Sequence, residues 1–259
     1  MIVVFDIETG PQPDEKLREL FNVDYTKVPN FDLIGKQFDP ASVKTGNMKD
    51  EAKIRDKIDD ARKKFLEAQD AAKQAAGNAE QEQFNQLKSR AALSPLTGRV
   101  LAIGIGYRSD QADIKQVQTE LYYLTDLHNE AEVIQTFFDL AVDLIQNKGQ
   151  FCGHNIKKFD MPFLIRRAYA LGVHVPEVIL NDLNQYRPNY FIDTMLVWGE
   201  PVKLDALASY FGTTRKNGDG AQFSELFFGS ETQNKQSLDY LKNDVLMTYE
   251  IAQKMELLK

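Results

Sequence analysis

Three short stretches hold the side chains best suited to chemistry. Asp6 and Glu8 stand near the N-terminus in Phe-Asp-Ile-Glu-Thr. The apolar run before them reads as a strand, and residues two apart on a strand point to the same face. Two carboxylates are thus aimed at one spot. Like charges buried together are costly unless a cation or a proton compensates; the alternative is a strand that ends there, with both groups in water. Asp160 follows in Gly-His-Asn-Ile-Lys-Lys-Phe-Asp, residues 153–160. It opens a helix with Pro162 in the first turn, so it reads as a helix cap, a role compatible with metal binding. Tyr240 and Asp244, in Tyr-Leu-Lys-Asn-Asp, are four apart and share one helical face, as a surface pair would too. Four carboxylates form a donor set that hard cations such as Mg²⁺ or Mn²⁺ prefer.

The elements that must position these groups are legible in the periodicity. Residues 2–7, 99–107, 119–125, 150–153 and 190–194 read as strands. Gly104 and Gly106, alternating in the second, imply close backbone approach on one face. Helical spacing runs over 130–146, 159–170, 203–211 and 235–257. Strands in succession followed by strands separated by helices predict an α/β domain, a mixed sheet with helices on both faces. Residues 31–96 interrupt it. Their apolar members fall at helical intervals, Gly77-Asn78 reads as a stop, and a second helix over 79–92 would complete an exposed helical hairpin. This insertion, with 12 Lys+Arg and 11 Asp+Glu, is nearly neutral, whereas the rest of the 259-residue chain, with 19 and 27, is acidic. The overall net charge of −7 argues against a protein that coats nucleic acid by bulk attraction. It is compatible with carboxylates gathered around metal ions. The single cysteine, Cys152, excludes an intrachain disulfide and fits a cytoplasmic setting. No stretch approaches a membrane span, and no signal peptide is expected.

Taken in order, Asp-x-Glu, Asn-x-x-x-Phe-Asp (Asn155 to Asp160) and Tyr-x-x-x-Asp resemble the three motifs of the DEDD superfamily of 3′–5′ exonucleases. The subgroup is the tyrosine one, because position 239 is Asp where the histidine subgroup would place His. Phe191-Ile-Asp-Thr194 and Leu204-Asp-Ala-Leu-Ala208 are similar to segments of family-B DNA polymerase proofreading domains and their stand-alone relatives. The resemblance covers residues 1–10 and about 97–259. It implies a ribonuclease H-like fold with a five-stranded sheet, and removal of nucleotides from a 3′ end with two divalent cations. Asp6 would bridge both ions, Glu8 and Asp244 would join it on the water-activating ion, and Asp160 would hold the second. Tyr240 would orient the attacking water. A tyrosine titrating near 10 is a poor base at neutral pH, so the ions must do most of the deprotonation. Paired ions roughly 3.5–4 Å apart serve both the nucleophile and the leaving oxygen of a phosphodiester.

The substrate implied by the polymerase-like segments is single-stranded DNA. The rivals are an exoribonuclease and a non-catalytic nucleic-acid-binding protein on the same fold. Around the carboxylates, Thr9 and Gly10 are candidates to line a terminal-nucleotide pocket, the glycine letting a sugar approach. His154 either contacts phosphate or is a hydrogen-bonded loop histidine; Asn155 either donates to the strand or holds its loop. Lys157 and Lys158, with Arg166 and Arg167, form either a solvated face or a phosphate track. Residues 215–220 (Arg-Lys-Asn-Gly-Asp-Gly) read as a mobile loop. The insertion is a candidate surface for a protein partner.

Overall fold

The computed structural model describes residues 1–108, 117–125, 128–182 and 190–258. It divides into two compact units, one of residues 1–12 and 91–259 and one of residues 13–90.

The first unit is built on a five-stranded sheet of β1 (Ile2–Pro11), β2 (Gly98–Arg108), β3 (Val117–Tyr123), β4 (Gln150–Gly153) and β5 (Phe191–Asp193), in the spatial order β3-β2-β1-β4-β5. The β1–β2 and β2–β3 pairs are antiparallel, and β1–β4 and β4–β5 are parallel. The parallel strands need crossovers. α3 (Glu130–Gln146) supplies one, before β4; α4 (Asp160–Leu171) and α5 (Glu177–Asp182) lie between β4 and β5. α6 (Thr194–Trp198), α7 (Leu204–Phe211), α8 (Phe223–Phe227) and α9 (Glu231–Lys254) complete the unit. This is the mixed sheet of a ribonuclease H-like fold, and the five expected strands fall within a few residues of their observed bounds.

Parity along β1 decides where the carboxylates go. Val3, Phe5 and Ile7 face one way, into a core with Ile134, Phe137 and Phe138 of α3 and Phe163 and Leu164 of α4. Val4 faces the other way, packing with Leu101, Cys152, Phe223 of α8 and Leu241 and Val245 of α9. Asp6 and Glu8 share the parity of Val4, so they look toward α9. Gly104, opposite Asp6 in the ladder, lets that helix come close. A Cβ there would stand 2.7 Å from Val245 Cγ2, and one on Gly106 would stand 2.5 Å from Val245 Cγ1.

The second unit holds α1 (Asp14–Leu20) and nearly all of α2 (Glu51–Ala91). Here the expected hairpin is corrected: α2 is one helix of 41 residues running through Gly77-Asn78. A glycine inside a helix costs only about 1 kcal/mol relative to alanine, and the flanking residues are good helix formers. The segment before α2 lies along it. Phe21 meets Phe84 edge-on at 5.4 Å, Phe38 meets Phe65 at 5.7 Å, and Gln69 Nε2 donates to Leu33 O and Lys36 O. Pro95, shortly after α2, has no N–H with which to continue the helix.

Candidate active site

Asp6, Glu8 and Asp244 meet at the centre of the sheet's α9 face. One carboxylate oxygen from each lies within 4.8 Å of the other two. Asp160 approaches from the other side of β1, where its Oδ1 accepts the backbone N–H of Ile7 at 3.2 Å. β4 pairs with β1 only as far as Val4, so the carboxylate satisfies a strand N–H that has outrun its neighbour. The capping expectation is corrected: Asp160 is the first residue of α4, the cap position belongs to Phe159, and no side chain caps this end.

The electrostatics follow from crowding anions in a poorly hydrated spot. Burial pushes Asp6 well above the usual carboxylate range, and the charges of Asp160, Glu8 and Asp244 push it further. Burial does the same to Glu8, with Asp244 adding to it. Asp160 is pushed up to about 7, mainly by burial, against the pull of the Ile7 N–H. Asp244 is raised by burial, with Tyr240 and Lys216 acting against the shift, and its Oδ1 is buried with no hydrogen-bond partner. The Tyr240 hydroxyl is driven far above its ordinary value by burial and by Asp244 and Glu8. This is a set of acceptors short of positive charge, with one oxygen left over. Hard oxygen-seeking cations fit such a donor set.

Two residues complete the site that the sequence had not marked. Lys216 stands 3.8 Å from Asp244 Oδ2 and 5.1 Å from the centre of the Tyr240 ring, and its charge also reaches Asp6 and Glu8. Its loop, expected to be mobile, is tied down. Arg215 grips Asp205 of α7 through two hydrogen bonds of 2.9 and 2.8 Å, and Asn243 Nδ2 donates to Arg215 O. Gly218 crosses the face of Tyr240 so closely that a Cβ would stand 2.7 Å from the ring. The second residue is Asp193, buried at the end of β5. Its Oδ1 accepts from Asn155 N and Met195 N, both at 2.9 Å, and its Oδ2 accepts from Lys157 N at 2.9 Å. It caps α6 and clamps the loop that leads to Asp160. An Asp between a strand and a helix was the available signal, read only as part of a family likeness; for Lys216 the sequence offered no signal beyond its loop.

The surrounding candidates fare differently. Lys157 is three-quarters or more buried and pairs with Asp182 at 3.3 Å. Arg167 is buried against Glu130 in a two-bond pair of 2.8 and 2.7 Å. Of the four cations read as either a solvated face or a phosphate track, two are taken up in internal pairs, and Lys158 and Arg166 stay exposed. Both ring nitrogens of His154 are engaged, with Thr194 Oγ1 at 2.9 Å and Val202 O at 2.8 Å, which is the loop-histidine reading. Asn155 holds its loop through its own backbone, in the left-handed region at φ 61°. The Thr9 hydroxyl donates to Ala92 O at 2.7 Å. Gly10 corrects the sugar-approach reading: a Cβ there would stand 2.6 Å from both Leu101 Cδ1 and Ser224 Oγ, so its smallness serves internal packing.

Comparison with known proteins agrees with this geometry. Residues 93–259 match the model of a family described as predicted 3′–5′ exonucleases related to the exonuclease domain of PolB. The matched stretch includes Asp160, Tyr240 and Asp244; Asp6 and Glu8 on β1 precede it. Among solved structures, a family B DNA polymerase from the hyperthermophilic archaeon Pyrobaculum calidifontis is similar in fold, with a TM-score of 0.50 and 21% identity. The similarity covers 65% of this chain and 23% of the polymerase chain. No curated protein matches.

Proposed function

The chain belongs to the family of predicted 3′–5′ exonucleases related to the exonuclease domain of PolB, and from that premise we propose that it shortens single-stranded DNA from the 3′ end, releasing nucleoside 5′-monophosphates with the help of two divalent cations, Mg²⁺ or Mn²⁺. The observation that supports this most is the meeting of Asp6, Glu8 and Asp244 within 4.8 Å, beside the unsatisfied Asp244 Oδ1.

Asp6, Glu8, Asp160 and Asp244 would hold the cations. When bound, such ions make water nucleophilic at neutral pH and steady the leaving oxygen. Burial first, and then the neighbouring Asp244 and Glu8 carboxylates, hold the Tyr240 hydroxyl above its ordinary value. It is therefore a hydrogen-bonding group that orients water, not the base that takes its proton. Lys216 balances part of the negative charge beside Asp244, and Asp193 holds the loop that carries Asp160 in register.

The test is to incubate the purified protein with 5′-labelled single- and double-stranded DNA and RNA, in Mg²⁺, Mn²⁺ or chelator. Stepwise shortening of linear single-stranded DNA, abolished by chelator, is expected. Cleavage of a closed circular strand, faster trimming of RNA, or no release with either cation would each refute the reading.

A further inference from the structure

Behind Tyr240 lies a cavity of about 310 Å³, between the loop at 217–222, α8 and the first turns of α9. Phe223, Leu226 and Tyr240 line it, together with the amide-bearing residues Asn217, Gln222 and Gln236. Tyr240 thus both lines this cavity and touches Asp244 of the carboxylate cluster. The loop can lie so close because Gly218 and Gly220 present no side chain to the Tyr240 ring.

The lining selects among the parts of a nucleotide. Asp219 and Asp239 outnumber Lys235 there, a poor setting for a phosphate. Apolar walls with a few placed polar groups suit a small uncharged ligand. A nucleobase has both an apolar face and an edge of donors and acceptors, which primary amides match because each carries both. The volume holds one base with room to spare, but not a stretch of strand.

We propose that this cavity receives one nucleobase of the strand being degraded, so that base binding is coupled through Tyr240 to the phosphate chemistry. This rests on the nuclease reading and adds to it a base-binding subsite.

The experiment is a cycle of protein and substrate changes. Gln236→Trp, at an exposed helical position, narrows the cavity from its rim; Leu226→Trp fills it from the wall. Either should lower kcat/KM on an intact oligonucleotide about tenfold, the scale of one lost base contact. Separate oligonucleotides abasic at the terminal or the penultimate position should cost the wild-type protein a similar factor at one of these positions. At that position the variants should lose nothing further. Independent losses, the same abasic penalty in wild type and variants, would overturn the proposal. Stabilisation by Mn²⁺ should persist in Gln236→Trp, which separates a folded variant from a damaged one. Shifts of the Tyr240 and Phe223 resonances on adding a free nucleoside, in chelator, test the cavity without turnover. If no strand is degraded by the wild type but a nucleoside still binds there, the nuclease reading fails and the base site stands. If strands are degraded and no nucleoside shift or coupling is found, the base site fails alone.

Discussion

Asp160→Asn should make the cation-free protein more stable while disabling it. The Asp160 carboxyl is pushed up to about 7 by burial, whereas an unfolded aspartate titrates near ~3.9. The folded pKa is the higher of the two, so the folded protein holds a proton that the unfolded chain has released. The stability this group supplies is complete below about pH 4 and drains away as pH rises toward about 7. Roughly three units at 1.36 kcal/mol each give about 4 kcal/mol lost by pH 8, as an upper figure. Asparagine removes the ionisable group and keeps an oxygen to accept the Ile7 N–H. In chelator, the variant should match the wild type at pH 4 and exceed it at pH 8, by up to roughly 8–16 °C in Tm at the ~2–4 °C per kcal/mol of a domain this size. Adding Mn²⁺ should raise the wild type strongly and the variant less, because the cation neutralises what the mutation has already removed. Circular dichroism melts at pH 4, 6 and 8, with and without Mn²⁺, measure all of this. A variant less stable than wild type at pH 8 in chelator, or a difference independent of pH, would refute the reasoning.

Three further outcomes follow from the same geometry. Tyr240→Phe should lower kcat by about ten- to a hundredfold, the scale of one lost hydrogen bond in a charged setting, roughly 1.5–3 kcal/mol, and leave the Mn²⁺-induced rise in Tm intact; an unchanged kcat moves the orienting role to another residue. Asp193→Asn has only one acceptor oxygen for the N–H groups of Asn155 and Lys157, and leaving one unsatisfied should cost about 1–3 kcal/mol. Mn²⁺ affinity, read by titration calorimetry, should weaken with it, and a variant that merely melts earlier with full affinity would separate the clamp from the site. Replacing residues 13–90 by a short Gly-Ser linker should leave a cooperatively folding exonuclease unit, because Gln12 N already donates to Thr97 O at 2.9 Å and closing a short loop there costs little; a broad, non-cooperative melt would show that the helical unit is needed for the fold.

Element identity is a local property, and here it was legible. The alternation in β1 turned Asp6 and Glu8 toward one face, the four-residue spacing put Tyr240 and Asp244 on a shared helical face, and the paired glycines of β2 announced a close approach on one face, which the structure fills with α9. The hairpin expected over 31–96 failed because one glycine's cost is small beside the helix propensity of its neighbours. Charge partners were illegible for a different reason. Lys157 and Lys158 are neighbours in the chain, yet one is paired with Asp182 and the other faces water; Arg166 and Arg167 divide likewise. Residue type and spacing state which way a side chain leaves its own element. They do not state what stands opposite, because Glu130, Asp182 and Asp193 reach their partners only after helices and strands far apart in the chain have packed. The carboxylates and tyrosine could therefore be named from one dimension, whereas Lys216, the Asp193 clamp and the cavity behind Tyr240 exist only once segments far apart in the chain have packed together.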